Sequence, residues 1–399
     1  ACMVEKESAL RSAGTDSQGS NLIDGVNLLR ESNNVKSPLA KKSKAELDRQ
    51  YLVNTFTRFK LQHYAQNKLL ERETIRVNSN FAKCHRATFG SITSLMRNPE
   101  SSRAYYNGVV TCANAFLCPV CSPRIMGVRG GEIGKAVKQW LARDSRNTCY
   151  MLTFTFSHSI SDSLSGLLSA FKNALVRFWA TGSIKRLLVA SGRVGRITAT
   201  EIQYSRKNGW HPHQHVLLFC RVADFDQAKL AGFWLGALES SGLSGLSDIA
   251  FDLVEARSCE TYLTKISSEM ALGNLKQGRG SGHFSPMQLL AEAADGADWA
   301  ADRFCELFRA TRGIHSLCWS RGLKAYFGIG DVSDLAITEG AAQPELRKFM
   351  DIVAEGFRKL STAEKALLRN YAAMNDYDRA SALLSKLAIE FFKDARVIS

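Results

Sequence analysis

Two β-prone segments that flank the dipeptide Asn208-Gly209 place the tightest constraint on how this chain can fold. The segment RITATEIQY (196–204) alternates apolar and polar residues, and HQHVLLFCRV (213–222) is rich in β-formers. Asn-Gly favours a tight reversal between strands, so the sequence predicts a β-hairpin here. An upstream segment, CYMLTFTFSH (149–158), alternates apolar residues with Thr and Ser and predicts a further strand.

Three histidines occupy five positions at the start of the second hairpin segment. Because alternate residues of a strand share a face, His213 and His215 should point the same way, and Glu201 should return beside them across the hairpin. Two imidazoles and one carboxylate suit Mg²⁺, Mn²⁺ or Zn²⁺, with positions left open for a substrate. We expect His211, which precedes Pro212, to lie in the turn as a loop residue or a DNA contact, with a further metal ligand as the alternative. The alternative is a half-exposed strand that holds histidines without a metal.

Four thiols upstream are candidates for a second metal site. The segment TCANAFLCPVCSPRIM contains Cys118 and Cys121 as a C-x-x-C pair, Cys112 lies six residues before it, and Cys84 lies further upstream. Clustered soft ligands in a chain without secretory features indicate a structural Zn²⁺ site. His85 is the alternative to Cys84 as fourth ligand, and free buried thiols are the alternative to a metal. A redox role is disfavoured because no thioredoxin-like βαβ pattern surrounds the pair.

The charge of the chain points to a nucleic-acid partner. The net charge is +14 and the pI is about 9.4, which favours a polyanion. The surplus lies before residue 331, because residues 331–399 hold 10 Lys and Arg against 11 Asp and Glu. The segment 127–145 predicts a basic helix after a glycine turn. We expect DNA contacts from basic residues in and just before it, with a solvated helix face as the alternative: Arg124, Arg129, Lys135 and Lys138.

Several classes of protein are disfavoured by what the sequence does not contain. No apolar run reaches 18 residues, so we expect no membrane partner, and the N-terminus ACMVEKESAL does not resemble a signal peptide. We therefore expect a cytoplasmic protein. The segment GGEIGK ends like a phosphate-binding loop, but Arg129 stands where the first glycine of that loop belongs. ATP-driven unwinding by this chain is therefore not expected.

Composition and periodicity divide the chain into five regions. We predict a largely disordered or loosely helical segment (1–45), N-terminal helices (46–80), a cysteine-rich zinc-binding and basic segment (81–146), the domain that holds the hairpin (147–330), and a helical C-terminal region (331–399). Helices are predicted after Ser161 or Asp162 and over 224–246. The segment 251–272 predicts a helix, or a strand running into one.

A tyrosine in the last of these segments is the candidate nucleophile. On a helix, Tyr262 would share a polar stripe with Glu255, Ser258, Lys265 and Glu269. A phenol has an ordinary pKa near 10, so it needs a neighbouring lysine or a metal-polarised phosphate before it can attack. Lys265 lies one turn away. Taken alone, Tyr262 is better explained as a packing residue, and the metal-ligand pair elsewhere in the chain is what favours a nucleophile.

The segments MLTFTFSH, ATEIQYSRKNGWHPHQHVLLF and YLTK, in that order, resemble the three motifs of the HUH endonucleases. More narrowly they resemble the single-tyrosine bacterial plasmid rolling-circle replication initiators, over roughly residues 81–330. The resemblance implies an α+β fold with a central antiparallel β-sheet flanked by helices, with His213, His215 and Glu201 on a divalent ion. It also implies attack by Tyr262 on single-stranded origin DNA, which forms a 5′-phosphotyrosine and frees a 3′-OH primer, with later rejoining. Unwinding would fall to a host helicase.

Two departures from the family pattern bear on these expectations. Gln214 stands where the superfamily usually has an apolar residue between the two histidines, but it should face away from the metal. Ser258 stands where some relatives have a glutamate that ends the cycle, and Glu255, Glu260 or Glu269 would have to replace it. A transposase or relaxase with the same core is an alternative, although relaxases usually place the tyrosine before the histidines. A non-catalytic zinc-dependent DNA-binding regulator is another.

Overall fold

The computed structural model describes residues 44–100, 103–223, 225–246, 248–256, 282–340 and 345–393. The chain divides into two compact units, residues 1–57 and 58–399. The described part of the first unit is the N-terminal half of helix α1 (Lys44–Glu71). The segment 1–45, expected to be disordered or loosely helical, lies almost entirely outside the described residues. All elements that follow belong to the second unit.

In chain order, the described strands are β1 (Ile92–Asn98), β2 (Arg103–Asn107), β3 (Asn147–Phe154), β4 (Gly195–Ser205), β5 (Gly209–Arg221), β6 (Phe251–Ala256), β7 (His283–Phe284), β8 (Leu317–Trp319), β9 (Arg347–Val353) and β10 (Phe391–Lys393). The described helices after α1 are α2 (Asn80–Lys83), α3 (Cys121–Arg143), α4 (Leu164–Ala180), α5 (Gly182–Ala190), α6 (Gln227–Glu239), α7 (Pro286–Ala294), α8 (Asp298–Ala310), α9 (Leu323–Tyr326), α10 (Asp334–Glu339), α11 (Ala354–Lys359), α12 (Thr362–Ala373) and α13 (Tyr377–Lys386).

The larger sheet is antiparallel and has six strands. Its order is β6-β3-β5-β4, and both β7 and β8 pair with the outer edge of β4. The predicted hairpin is confirmed as β4 and β5, and the predicted upstream strand as β3. Helices flank the sheet, so the predicted α+β fold with a central antiparallel sheet is confirmed.

The turn of the hairpin requires glycine at its end. Gly209 has a φ of +79°, and a Cβ at this position would lie 2.7 Å from the carbonyl oxygen of Ser159. Strand β5 begins at Gly209, so His211 pairs with Gln203 inside the ladder. The expectation that His211 lies in the turn is therefore wrong. The proline after it is tolerated because β3 pairs with β5 only as far as Gln214, so that among the described strands none needs an N–H from Pro212 on that side.

One face of the sheet carries most of the aromatic core. The ring of Phe154 is fully buried and makes edge contacts with Phe178 of α4, Trp234 of α6 and Phe251 of β6. The Ser163 side chain caps α4 by accepting from the Gly166 N–H, one or two residues after the predicted cap.

Helix α3 also packs against the sheet. The indole N–H of Trp140 donates to the carbonyl oxygen of Thr148 at 2.8 Å. The helix starts at Cys121, six residues before the predicted basic helix, and it runs straight through the glycines expected to form a turn. The helix predicted over 224–246 is confirmed as α6.

A second antiparallel sheet, with order β10-β9-β1-β2, joins two segments far apart in the chain. The phenol of Tyr106 in β2 donates to the carbonyl oxygen of Lys365 in α12 at 2.7 Å, and the Arg369 guanidinium donates to the Ala104 carbonyl at 2.9 Å. The C-terminal region, expected to be helical, thus also supplies the strands β9 and β10. In the described part of the chain, no helix has the length and apolarity needed to cross a membrane.

Candidate metal centres

The structure brings Glu201, His213 and His215 together on one face of the larger sheet. Glu201 pairs with His213 across the hairpin, and His215 follows two residues later on the same face. The Oε2 atom of Glu201 lies 3.3 Å from Nε2 of His213 and 3.7 Å from Nε2 of His215. Two nitrogens and one oxygen that converge in this way can hold a metal ion.

The donor set and its spacing fit a divalent cation. Ligand atoms about 2.1 Å from a shared ion lie about 3.0–3.4 Å apart, close to the separations seen here. Glu201 is 5% exposed. Burial alone would raise its pKa, but hydrogen bonds from His213 and His215 outweigh burial, so the pKa of Glu201 lies well below its ordinary value. The carboxylate is therefore held ionised, the form that binds a metal.

Neighbouring side chains fix the orientation of these three groups. The amide of Gln203 donates to Oε1 of Glu201 at 2.7 Å, which turns Oε2 towards the imidazoles. Nδ1 of His215 lies 3.1 Å from the hydroxyl of Thr153, and Nδ1 of His213 lies 3.5 Å from the carbonyl oxygen of His211. A metal bound here would take the Nε2 lone pairs of both histidines, with the ring proton on Nδ1, whereas without a metal Nε2 carries the proton that is donated to Glu201.

His211 belongs to a second pair of histidines beside this centre. Its Nδ1 lies 2.8 Å from Nε2 of His158, whose own Nδ1 donates to the carbonyl oxygen of Asn208. Burial, with the charges of His213 and His158, lowers the pKa of His211 to about 3. A neutral, mostly buried His211 packs against His213 (ring centroids 5.0 Å apart) and is poorly placed for the DNA contact expected from the sequence.

Tyr262 and Lys265 fall in the segment 257–281, which lies outside the described residues. Glu255, however, lies in strand β6 opposite Tyr150. Its predicted place on a helical stripe with Tyr262 is therefore wrong, because the pairing of β6 with β3 continues to Ala256.

The four cysteines chosen from the sequence form a second cluster. The Sγ atom of Cys121 lies 3.6 Å from that of Cys84 and 3.8 Å from that of Cys112, and Cys118 completes the group. Four thiolates about 2.3 Å from a tetrahedral Zn²⁺ would lie about 3.8 Å apart. The cluster therefore fits a closed four-sulfur site. Cys84 supplies the fourth sulfur. His85, the alternative ligand, lies beside that sulfur, with its Nδ1 atom 3.3 Å from the Sγ atom of Cys84.

Hydrogen-bond donors surround these sulfurs. The amide of Gln62 in α1 donates to the Sγ atoms of both Cys84 and Cys118 at 3.2 Å, and the Cys121 N–H donates to Cys118 Sγ at 3.4 Å. Burial raises the pKa of Cys84. Burial acts in the same direction on Cys118, but hydrogen bonds from the other three cysteines and from this N–H bring its pKa well below the ordinary value.

The expected DNA contacts of α3 fall into two groups. Lys135 and Lys138 are exposed. Arg129 is buried, and its guanidinium pairs with Glu132 at 2.9 Å and with Asp334 at 2.6 Å. Arg124 donates to the carbonyl oxygen of Thr338 and lies over the ring of Tyr105. Both arginines are thus held in packing against α10, which argues against a DNA contact, whereas the two lysines remain candidates.

Part of this chain is similar to known replication proteins. Residues 105–232 match the model of the family described as "Replication protein", a range that includes β3, β4, β5 and the three candidate ligands. A "Protein rep" of Streptomyces lividans is 26% identical over 335 residues, covering 64% of this chain and 73% of that protein.

A second relative covers much less. A "Neomycin resistance protein" of Streptomyces cyanogenus is 29% identical over 135 residues, 28% of this chain and 30% of that protein. No solved structure matches the chain. The matched family region contains the whole histidine hairpin, so the similarity to replication proteins includes the candidate metal centre.

Proposed function

We infer that this protein initiates rolling-circle replication of a bacterial plasmid by nicking single-stranded origin DNA and later rejoining it. The convergence of Glu201 Oε2, His213 Nε2 and His215 Nε2 on one sheet face carries the proposal. The match of the same hairpin to the replication protein family supports it. This would make the chain a metal-dependent strand-transfer endonuclease of the HUH type, acting in the cytoplasm.

The residues around the centre would bind and orient a scissile phosphate. Glu201, His213 and His215 would hold Mg²⁺ or Mn²⁺, and such an ion polarises a phosphodiester and stabilises charge that develops on its oxygens. Gln203 holds the Glu201 carboxylate in place, and Thr153 holds the ring of His215. Because the three ligands lie on paired strands, their spacing is set by the ladder rather than by a loop.

The nucleophile in this proposal is the Tyr262 hydroxyl. Its oxygen forms a bond to phosphorus, the bond from phosphorus to the 3′ oxygen breaks, and that oxygen takes up a proton to become the 3′-OH primer. Lys265 favours the phenolate. The phosphotyrosine retains the energy of the broken bond, so attack by a 3′-OH reverses the step without ATP.

Two further parts of the chain would support binding of the origin. The four cysteines would hold a structural Zn²⁺, and Lys135 and Lys138 on the adjoining helix would contact phosphates. A host helicase would supply the unwinding.

Detection of a covalent adduct tests the proposal. The protein is incubated with Mn²⁺ and single-stranded oligonucleotides that tile both strands of the DNA flanking its coding sequence, and adducts are sought on denaturing gels. We expect one oligonucleotide to become attached through its 5′ phosphate. Tyr262→Phe should abolish this product, while Tyr326→Phe, at an exposed tyrosine, should not.

Mass spectrometry of the attached peptide identifies the nucleophile. An adduct that persists in Tyr262→Phe would assign the nucleophile to another residue. Absence of an adduct with every oligonucleotide and metal, alongside retained duplex binding, would favour a zinc-dependent DNA-binding regulator.

A further inference from the structure

A cleft of about 650 Å³ opens along the outer edge of the larger sheet. One wall is β8 and the chain that follows it, with Trp319, Arg321 and Lys324. The other wall includes Arg129 of α3 and Asp334 of α10. The proposed cutting mechanism uses none of these residues.

The cleft and the histidine centre share a face of the sheet. Trp319 pairs with Ile197 and Leu317 pairs with Ala199, and both of these β4 residues lie on the same face as Glu201. Four residues along a strand separate Ile197 from Glu201, a distance of about 13 Å. Stacked nucleotides rise about 3.4 Å each, so 13 Å corresponds to about four nucleotides, and fewer in an extended strand.

The chain between the two sites continues the ladder. The Thr200 N–H donates to the carbonyl oxygen of Ser316 at 2.9 Å, one step beyond the last pair of β8. His315 precedes it, is exposed, and lines the end of the cleft that lies towards Glu201. A single strand held at the histidine centre would therefore lie about 13 Å from the cleft on the same face of the sheet.

Trp319 gives the lining of the cleft an aromatic ring and an indole N–H donor. Within the described part of the chain, the buried Nε1 of Trp319 has no hydrogen-bond partner. A buried N–H without a partner is costly, and an acceptor on a ligand would satisfy it. Bases stack on aromatic side chains whatever their sequence, and the sugar–phosphate backbone beside a stacked base carries acceptor oxygens.

Charged side chains of both signs lie at the same place. Lys324 Nζ is 5.7 Å from the centroid of the Trp319 ring and is held 3.4 Å from both Glu132 and Asp331. Arg321 is exposed, and no ion pair joins it to any residue that the structure describes. Lys324 is thus fixed beside the Trp319 ring. Arg321 projects towards solvent, where the phosphate of a bound nucleotide would lie.

We propose that this cleft binds one nucleotide of the single-stranded DNA substrate, a few nucleotides from the scissile phosphate. The base stacks on the face of the Trp319 ring, the in-plane indole N–H donates to an oxygen of the sugar–phosphate backbone, and Arg321 contacts the phosphate. This site rests on the proposed function, because it assigns a further part of the same DNA substrate. It would make Trp319 a residue that sets the register of the strand on the enzyme.

The test combines a variant with abasic scanning. In the Tyr262→Phe background, affinity is measured by fluorescence anisotropy for the adduct-forming oligonucleotide and for copies with an abasic site at each position in turn. We expect Trp319→Ala to weaken binding about tenfold, within the range given by loss of one stacked base. An abasic site at one position of the oligonucleotide should weaken binding to the parent protein by a similar factor. The same abasic site should not weaken binding to Trp319→Ala any further.

Two other variants separate this role from a structural one. Trp179→Ala removes a part-exposed tryptophan that contacts Arg196, on the opposite face of the sheet, and it should leave the abasic profile unchanged. Arg321→Ala removes an exposed side chain and should reduce the slope of log affinity against log salt by about 1. If a thermal melt shows that Trp319→Ala is unfolded, the salt dependence of Arg321→Ala tests the proposal instead.

The outcomes distinguish the two proposals. If adducts form but Trp319→Ala shows the same affinity and the same abasic profile as its parent, the cleft is not a nucleotide site and the cutting proposal stands. If Arg321→Ala also has the same slope of log affinity against log salt as its parent, the phosphate contact is excluded too. If the wild-type protein neither forms an adduct nor binds a mixed-sequence 20-nucleotide single strand, both proposals are wrong.

Discussion

The two candidate metal centres of this chain are built in opposite ways. The Glu201, His213 and His215 centre comes from one hairpin, uses oxygen and nitrogen donors, and supplies three of them. The four-cysteine cluster collects sulfurs from the end of α2, the loop after β2 and the start of α3, and supplies all four ligands of a tetrahedron.

The difference predicts different consequences for fold and activity. A closed four-sulfur site leaves no position for a substrate and stabilises the structure that surrounds it. A three-ligand site on a preformed hairpin leaves positions for a phosphate, and the ladder holds the hairpin without help from an ion. Loss of the first site should unfold the protein, whereas loss of the second should leave a folded protein that does not cut DNA.

The largest effect is expected from Cys118→Ser. Structural zinc contributes an apparent binding free energy of about 10–16 kcal/mol to small domains, so loss of one ligand should lower the melting temperature by more than about 10 °C. Zinc per chain, measured by plasma mass spectrometry, should fall from one to near zero. Cys318→Ser, at an exposed cysteine, is the matched control. An unchanged melting temperature in zinc-free Cys118→Ser would contradict a structural role.

His213→Ala should have the opposite profile. We expect adduct formation to fall by about 100-fold or more, because removing a charge-stabilising contact costs about that much in rate. The melting temperature should change by only a few degrees, since the hairpin keeps its register. His63→Ala, at an exposed histidine of α1, controls for loss of an imidazole. Full adduct formation by His213→Ala would exclude the hairpin as the catalytic metal site.

Gln203→Ala should give a smaller and more specific effect. Gln203 is a positioning residue, and loss of such partners usually reduces metal affinity by about 10–100-fold. The Mn²⁺ concentration for half-maximal adduct formation should rise by that factor, while the rate at saturating Mn²⁺ largely recovers. A fall in the saturated rate with no change in the Mn²⁺ requirement would mean that Gln203 acts on the DNA instead.

The sequence predicted the hairpin centre more fully than the rest of the fold, for a physical reason. Strand alternation and an antiparallel turn fix which residues face each other, so Glu201, His213 and His215 could be placed from spacing alone. The residues that orient them were missed. Gln203 and Thr153 are ordinary polar positions on strands, and only three-dimensional contact distinguishes them.

The second sheet was missed because its strands come from opposite ends of the chain. Met350 of β9 pairs with Leu95 of β1, more than 250 residues earlier, and no local pattern reports such a pairing. Arg129 was misjudged for a similar reason. Its charge resembles that of the other basic residues of α3, and its burial follows from Asp334, which reaches it from α10.

The smallest effect is expected from Gln62→Ala, the counterpart of Gln203 at the cysteine cluster. Its amide donates to two sulfurs at 3.2 Å and would stabilise their negative charge when a metal is bound. A four-sulfur site binds zinc so tightly that excess zinc keeps the site occupied even when its affinity is reduced. The melting temperature in excess zinc should therefore hardly change. In competition with a chelator, however, Gln62→Ala should lose zinc at about tenfold lower chelator concentration. Equal zinc retention by both proteins would show that Gln62 only fills space beside the sulfurs, and that the two glutamines are not equivalent.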